Sequence, residues 1–197
     1  MTKEQGKRMA VKEVMDAIQS TLQSTGLVAT DFVSFYSGKP TFEELKLVSL
    51  DYPSLFISCL NFQDESDESN KAALSNYELV LDANFIVSVV VKNTENAEIR
   101  NTMARLLAEG VMLNLIDQDW GLKNCLIAEN RSVEGLFVNA AEQGNCSIWL
   151  VSWSQSIGLD KDAAQSDIND WLRYHADHYN QDNSDHIMAS SDVDIAS

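Results

Sequence analysis

"ANFIVSVVVKNTENAEIRNTMARLLAEGVMLNL", residues 83–115, runs from an apolar stretch through a short polar turn into a long helical pattern. Many phosphate-binding enzymes use that arrangement, with glycines that let backbone N–H groups approach an anion and a basic side chain that supplies charge. The turn here, residues 92–98, holds no glycine, and its carboxylates Glu95 and Glu98 lie in the first helical turn. There they complement the helix dipole but repel a phosphate. Asn93 or Thr94 is the natural N-cap. The stretch therefore predicts an ordinary strand-to-helix junction. On the helix, Ile99, Met103, Leu106, Leu107, Gly110 and Leu113 form an apolar stripe, widened by Val111 and Leu115, that is expected to lie on a sheet. Gly110 suggests a close helix–sheet contact, and Gly121, after Trp120, is the expected C-cap residue.

Upstream, the strand pattern begins at Tyr77, with a bulge or bend expected near residues 82–84 and with Phe85, Val87, Val89 and Val91 on one side. "PSLFISCLNF", residues 53–62, reads as a buried strand. It ends in the polar run from Gln63 to Lys71, expected to be a mobile loop. Val11, Val14, Met15, Ile18 and Leu22 mark one face of a first helix over about residues 4–24, which Gly26 stops. A short strand over 32–36 and a helical turn over 41–45 follow. Downstream, strands are expected over 125–129, 135–139 and "CSIWLVSWSQSIGL", residues 146–159. In the last, Trp149, Val151, Trp153 and Ile157 share a buried face, and Ser152, Ser154 and Ser156 a wet one. This order predicts an α+β fold, a mostly antiparallel twisted sheet packed against two main helices, over residues 1–158. A short helical extension (159–180) and an acidic disordered tail (181–197) complete the expected organisation.

The 197 residues carry a formal charge of −16. Such a surface disfavours nucleic acid backbones and anionic membranes, because counterion release requires basic side chains. Neither a signal peptide nor a membrane span is visible, so a protein made in the cytoplasm is expected. Cys59, Cys125 and Cys146 are far apart and form no CxxC pair, which reads as buried thiols.

Catalytic chemistry finds little to use. No histidine occurs in residues 1–174, so a Ser-His or Cys-His pair would have to borrow its base from the tail. His175 and His178 have helical ligand spacing but lack the folded frame of a zinc site. The run from Asp160 begins like a calcium loop, then places Gln165 at the turn glycine and Trp171 at the bidentate glutamate. No catalytic, cofactor or metal residue is assigned, and no enzymatic activity is expected. The residues favoured for partner contact are Asp64, Glu65, Asp67 and Glu68 in the acidic loop, together with Trp171. The run 167–172 can form a short helix, from which Trp171 anchors either back on the domain or on a neighbouring subunit.

The phrases "VKEVMDAIQSTLQSTGL", "YPSLFIS", "VKNTENAEIR", "ARLLAEGVMLNLIDQDWGL" and "WLVSWSQSIGLD" follow one another in an order that resembles the tail-terminator, or tail-completion, proteins of long-tailed phages, in particular the Mu-like branch. The resemblance spans about residues 8–180. It implies a virion protein without enzymology: a ring, typically a hexamer, that caps the completed tail tube, stops its polymerisation and joins it to the head connector. The implied partners are other copies of the chain, the tube protein and the head–tail connector, with DNA only passing through the lumen and no membrane involved. The matching positions are scaffold positions, so no individual residue role is carried over. Another neck or head–tail joining protein, or a small α+β enzyme, are the alternative readings.

Overall fold

The computed structural model describes residues 10–37, 53–92, 96–136 and 146–160. The expected helical turn at 41–45, the extension and tail beyond 160, and Trp171 with them, lie outside the described residues. The elements, in chain order, are helix α1 (Ala10–Ser24), a 3-10 turn (Thr30–Phe32), strand β1 (Val33–Phe35), β2 (Ser54–Asp64), helix α2 (Glu68–Ala73), β3 (Leu79–Lys92), helix α3 (Ala97–Leu113), β4 (Glu129–Gly135) and β5 (Cys146–Leu159). The strands form one five-stranded sheet in the order β1-β2-β3-β5-β4. Only the β1–β2 pairing is parallel; the other three are antiparallel. The chain is an α+β fold with α1 and α3 on one face of this sheet.

The core between helices and sheet follows from the strand period. Leu55 and Ile57 of β2, Ala83, Phe85, Val87 and Val89 of β3, and Val151, Trp153 and Ile157 of β5 all project toward the helices. Against them α1 lays Val14, Ile18 and Leu22, each essentially without exposure. Fully burying an aliphatic side chain of this size contributes about 1.5–3 kcal/mol. Gln19 fastens the helix to the edge strand, donating from Nε2 to the Val33 carbonyl at 2.9 Å. Gly26, at φ +69°, turns the chain out of α1 as its sequence position suggested.

Several expectations are corrected. β3 is continuous, and the irregularity lies on its partner: between Cys59 and Asn61 the register slips, leaving Leu60 as the extra residue of β2. A bulge reverses which face later residues occupy, so Phe62 falls opposite Ala83 at the frayed end of the core and is 59% exposed. The supposed loop after residue 62 is strand up to Asp64 and then α2. The 125–129 strand reduces to a single bridge, Cys125 to Ile157, and β4 begins where it was expected to end. β4 stops at Gly135, and the remainder of the strand expected over 135–139 lies outside the described residues apart from Leu136, whose N–H donates to the Ile148 carbonyl.

The N-cap of α3 is Asn96, whose Oδ1 accepts from the Glu98 and Ile99 N–H groups at 2.8 and 3.3 Å, in place of Asn93 or Thr94. The helix closes at Asn114, whose Nδ2 donates to the Gly110 carbonyl. Gly121, at φ +69°, belongs to a later turn in which the Asp119 carboxylate accepts its N–H.

The second face of the sheet divides into two zones. Phe56, Ile86, Val90, Cys146, Ile148 and Leu150 form a compact apolar cluster, with Tyr36 edge-on to Phe56. Farther along, Ser154 and Ser156 are buried, contrary to the wet face expected for them. Asn130 donates from Nδ2 to the Ser154 hydroxyl at 2.8 Å, and α2 covers Ser156. At the end of β5 the Tyr77 ring lies across Gly158, where a Cβ would come within 2.4 Å of ring carbons. Gly158→Ala is therefore expected to cost about 1–3 kcal/mol by overpacking, read as a lower urea midpoint with an unchanged m-value.

Candidate interaction surface

Of the acidic residues singled out in the sequence, two, Glu65 and Asp67, hold α2 in place. The Asp67 side chain caps α2, accepting from the Ser69 N–H at 2.7 Å and from its hydroxyl. Those bonds hold its carboxyl below the ordinary value. Glu68 pairs with Lys71 at 2.9 Å on the outside of the same helix. Asp64, opposite Leu81, is the exposed last residue of β2. Glu65, only 6% exposed, reaches under α2: Ser156 donates to it from Oγ, Asn70 from Nδ2 and Asp67 from its backbone N–H. Burial works to raise the Glu65 pKa, but bonds from Ser156, Asp67, Asn70 and the Ser66 backbone outweigh it and leave the carboxyl below its usual range.

A group with a lowered folded pKa adds stability above its unfolded pKa, and that stability is lost as pH falls through the folded value. Asp82, opposite Ser156 in the ladder, has the reverse sign: burial, then the charge of Glu65, raise its pKa against a Gln63 hydrogen bond. Its ionisation costs stability above the folded pKa, and that cost disappears once pH drops below the unfolded one. Asp82→Asn is thus expected to raise the melting temperature at pH 7 by about 1–3 °C, the scale of a partly exposed charge pair. The gain should vanish in melts near pH 3, where the carboxyl is protonated in both states.

The larger surprise is on α3. Most of the stripe expected to lie on the sheet faces outward: Ile99 is 57% exposed, Leu106 55% and Leu113 67%, with Met103 also exposed, whereas Leu107 is half-buried against the core. The sheet-facing side is made instead by Arg100, Ala104 and Ala108, together with Val111 and, beyond the helix, Leu115, the two residues that widened the expected stripe and that do lie in the core. The two stripes are one residue apart in sequence, which is a rotation of roughly 100° about the helix axis. Alanines let the helix backbone settle close to β3 and β5, where Leu106 or Met103 would hold it off. Gly110, on the outward side, is matched not to the sheet but to Leu27: a Cβ there would lie 2.6 Å from Leu27 Cδ2. Leu27 thus folds over the C-terminal half of the stripe. Beside it a cleft of about 560 Å³ opens between Leu27, Ile99, Thr102, Met103, Leu106 and Leu107.

The outward positions 99, 103, 106, 110 and 113 alternate in steps of four and three, the seam by which one helix packs against another. Isolated exposed apolar side chains are ordinary, whereas a contiguous stripe along a long helix marks a surface that a partner covers. Among the described residues, Glu98 and Thr102 are the only polar side chains that line the cleft. None of the three cysteines is in a disulfide. Burial and then the nearby Asp119 charge push the Cys125 thiol up to about 12, and burial raises Cys59, so neither is a ready nucleophile. Among the described residues, no three His, Cys, Asp or Glu side chains gather as metal ligands, and no helix is long and apolar enough to cross a membrane.

No family model and no curated protein matches the chain. The outward face of α3 is therefore the feature from which a function has to be argued.

A second feature escaped the sequence reading. Gln155 is buried among aromatic rings with all its hydrogen-bonding capacity used: Oε1 accepts from the Trp120 and Trp153 indoles at 2.8 and 3.1 Å, and Nε2 donates to the Gln118 and Leu126 carbonyls at 2.9 and 2.7 Å. Its neighbour Trp153 stacks on Phe85 and lies 6.1 Å from Trp120, centroid to centroid. This network ties the segment after α3 to β5 and so fixes how α3 is held. Trp149, expected in the core, is half-buried, and its indole N–H donates to Asn101 Oδ1 of α3 at 3.1 Å.

Proposed function

We propose that the chain is a structural subunit of a phage tail, assembling as a ring that caps the tail tube, ends its polymerisation and joins it to the head connector. The observation that carries the assembly part of this reading is the outward apolar stripe of α3, a surface on which, among the described residues, few polar groups lie and which suits contact with another protein. Copies of one chain most often associate through closed symmetric contacts, and a head-to-tail contact whose rotation closes makes a ring. The order of sequence phrases supports the tail-terminator assignment within that class. The charge of −16 suits a subunit that surrounds DNA without gripping it, since phosphate and carboxylate repel. On this reading the protein is made in the host cytoplasm and acts in the virion tail.

The test is to polymerise a tail tube protein from the same phage or prophage with and without the purified chain, and to measure tube lengths by electron microscopy. Tubes that stop growing and carry the chain at one end are the expected result. Tubes of unchanged length, on a chain that still self-associates, would reassign it to another head–tail joining role.

A further inference from the structure

Taking the ring reading as given, we propose that the occupant of the α3 cleft of one subunit is the segment 167–175 of the next. Residues 161–197 lie outside the described residues, and within them the large apolar side chains Ile168, Trp171 and Leu172 recur, with His175, at i, i+3, i+4 and i+7. That is one face of two helical turns, set in a stretch otherwise dominated by Asp, Asn and Ser. Such a helix, too short to be stable alone, requires a groove in which to bury its stripe. The α3 cleft, at about 560 Å³ and with apolar walls, is of the size that takes an indole and a neighbouring leucine.

Reach decides which subunit supplies the segment. β5 releases the chain at Leu159, where the Glu78 N–H donates to its carbonyl. The cleft stands over the opposite end of that strand, because Asn101 of α3 meets Ser147 and Trp149. Trp149 and Leu159 are ten residues apart, about 33 Å along a strand. Leu106, five residues beyond Asn101, recovers only about 7 Å of that, and the outer face of α3 stands more than the ~10 Å interlayer spacing above the sheet. The link from 160 to 168, at about 26 Å when fully stretched, would have to be taut to serve its own cleft. The cleft of a neighbouring subunit is free of that constraint.

Two full-length variants separate the parts. One replaces the segment's apolar face (I168D/W171D/L172D), and the other the cleft wall (M103D/L106D). All replaced residues lie outside the core or in the segment itself, and thermal melts check that each variant folds. Wild type is expected to associate, each variant alone to run as a monomer in light scattering, and a mixture of the two to form a heterodimer through the one intact cleft and one intact segment. Trp171→Phe should retain association. If the segment variant assembles like wild type, the proposal is overturned while the ring reading stands. A mixture that remains monomeric means the segment of one copy does not bind the cleft of another, which also overturns it. Wild type that never associates defeats the ring reading itself.

Discussion

Leu106→Asp is expected to abolish self-association at micromolar concentration while leaving the melting temperature of the isolated chain within about 2 °C of wild type. The two halves of this result have separate causes. Leu106 is 55% exposed on a helix whose other side carries the core contacts, so a charge there meets water in the monomer. Surface changes of this kind usually fall within about 0.5 kcal/mol. In an interface the same carboxylate is carried into an apolar cleft beside Met103 and Leu27. Losing a leucine anchor and desolvating an unpaired charge together cost about 3 kcal/mol or more, at least a 100-fold loss of affinity. Sedimentation velocity on both proteins measures the first half, and calorimetry the second. A variant that associates like wild type would show that the outward stripe is not the contact.

The second large effect is expected at Gln155, through stability. Gln155→Leu keeps the volume nearly constant but removes a hydrogen bond from four groups: it strands two indole N–H groups and takes one bond from the Leu126 carbonyl, while the Gln118 carbonyl keeps the Ala128 N–H. Each buried group left without a partner costs about 1–3 kcal/mol. Relaxation and water entry recover part of this, so a net loss of about 3–5 kcal/mol is expected. That lowers the melting temperature by about 6–20 °C at 2–4 °C per kcal/mol. Gln155→Glu tests the same network differently: a carboxylate accepts from both indoles but cannot donate to the carbonyls, and it buries a charge, so it should be at least as damaging. A Gln155→Leu protein that melts with wild type would mean the indoles and carbonyls find water or each other, and that the network does not hold the post-helix segment to β5.

How far the sequence could be read follows from what each residue pattern encodes. The long strands β2, β3 and β5 were legible because apolar and β-branched runs of ten or more residues have few other solutions in a chain with helices to cover them. α3 was legible as a helix but not in its orientation. Hydropathy ranks Leu106 and Met103 above Ala104 and Ala108, whereas close packing on a sheet ranks small residues first. Both stripes were present, and only the tertiary contact chooses between them. Nothing in the hydropathy of the helix itself says that the larger one is left outside.

The acidic run was misread for a related reason. Glu65, Asp67 and Glu68 resemble solvated loop residues in composition. The Asp67-to-Ser69 spacing was nevertheless a local capping signal, and only the pairing of distant strands brings Ser156 to Glu65. Gln155 had a usable signal: the strand period sets it on the same side as Trp153 and Ile157, and a polar residue at an inward position implies partners.

Light scattering of the wild-type chain across a concentration series shows whether another copy covers the outward face of α3. The mass should rise with concentration to a fixed multiple of 21.9 kDa, six-fold for the expected hexamer, and M103D/L106D should hold at one chain. A wild-type mass of one chain at every concentration, well above the micromolar range where specific copy–copy contacts form, would mean that no other copy covers that face.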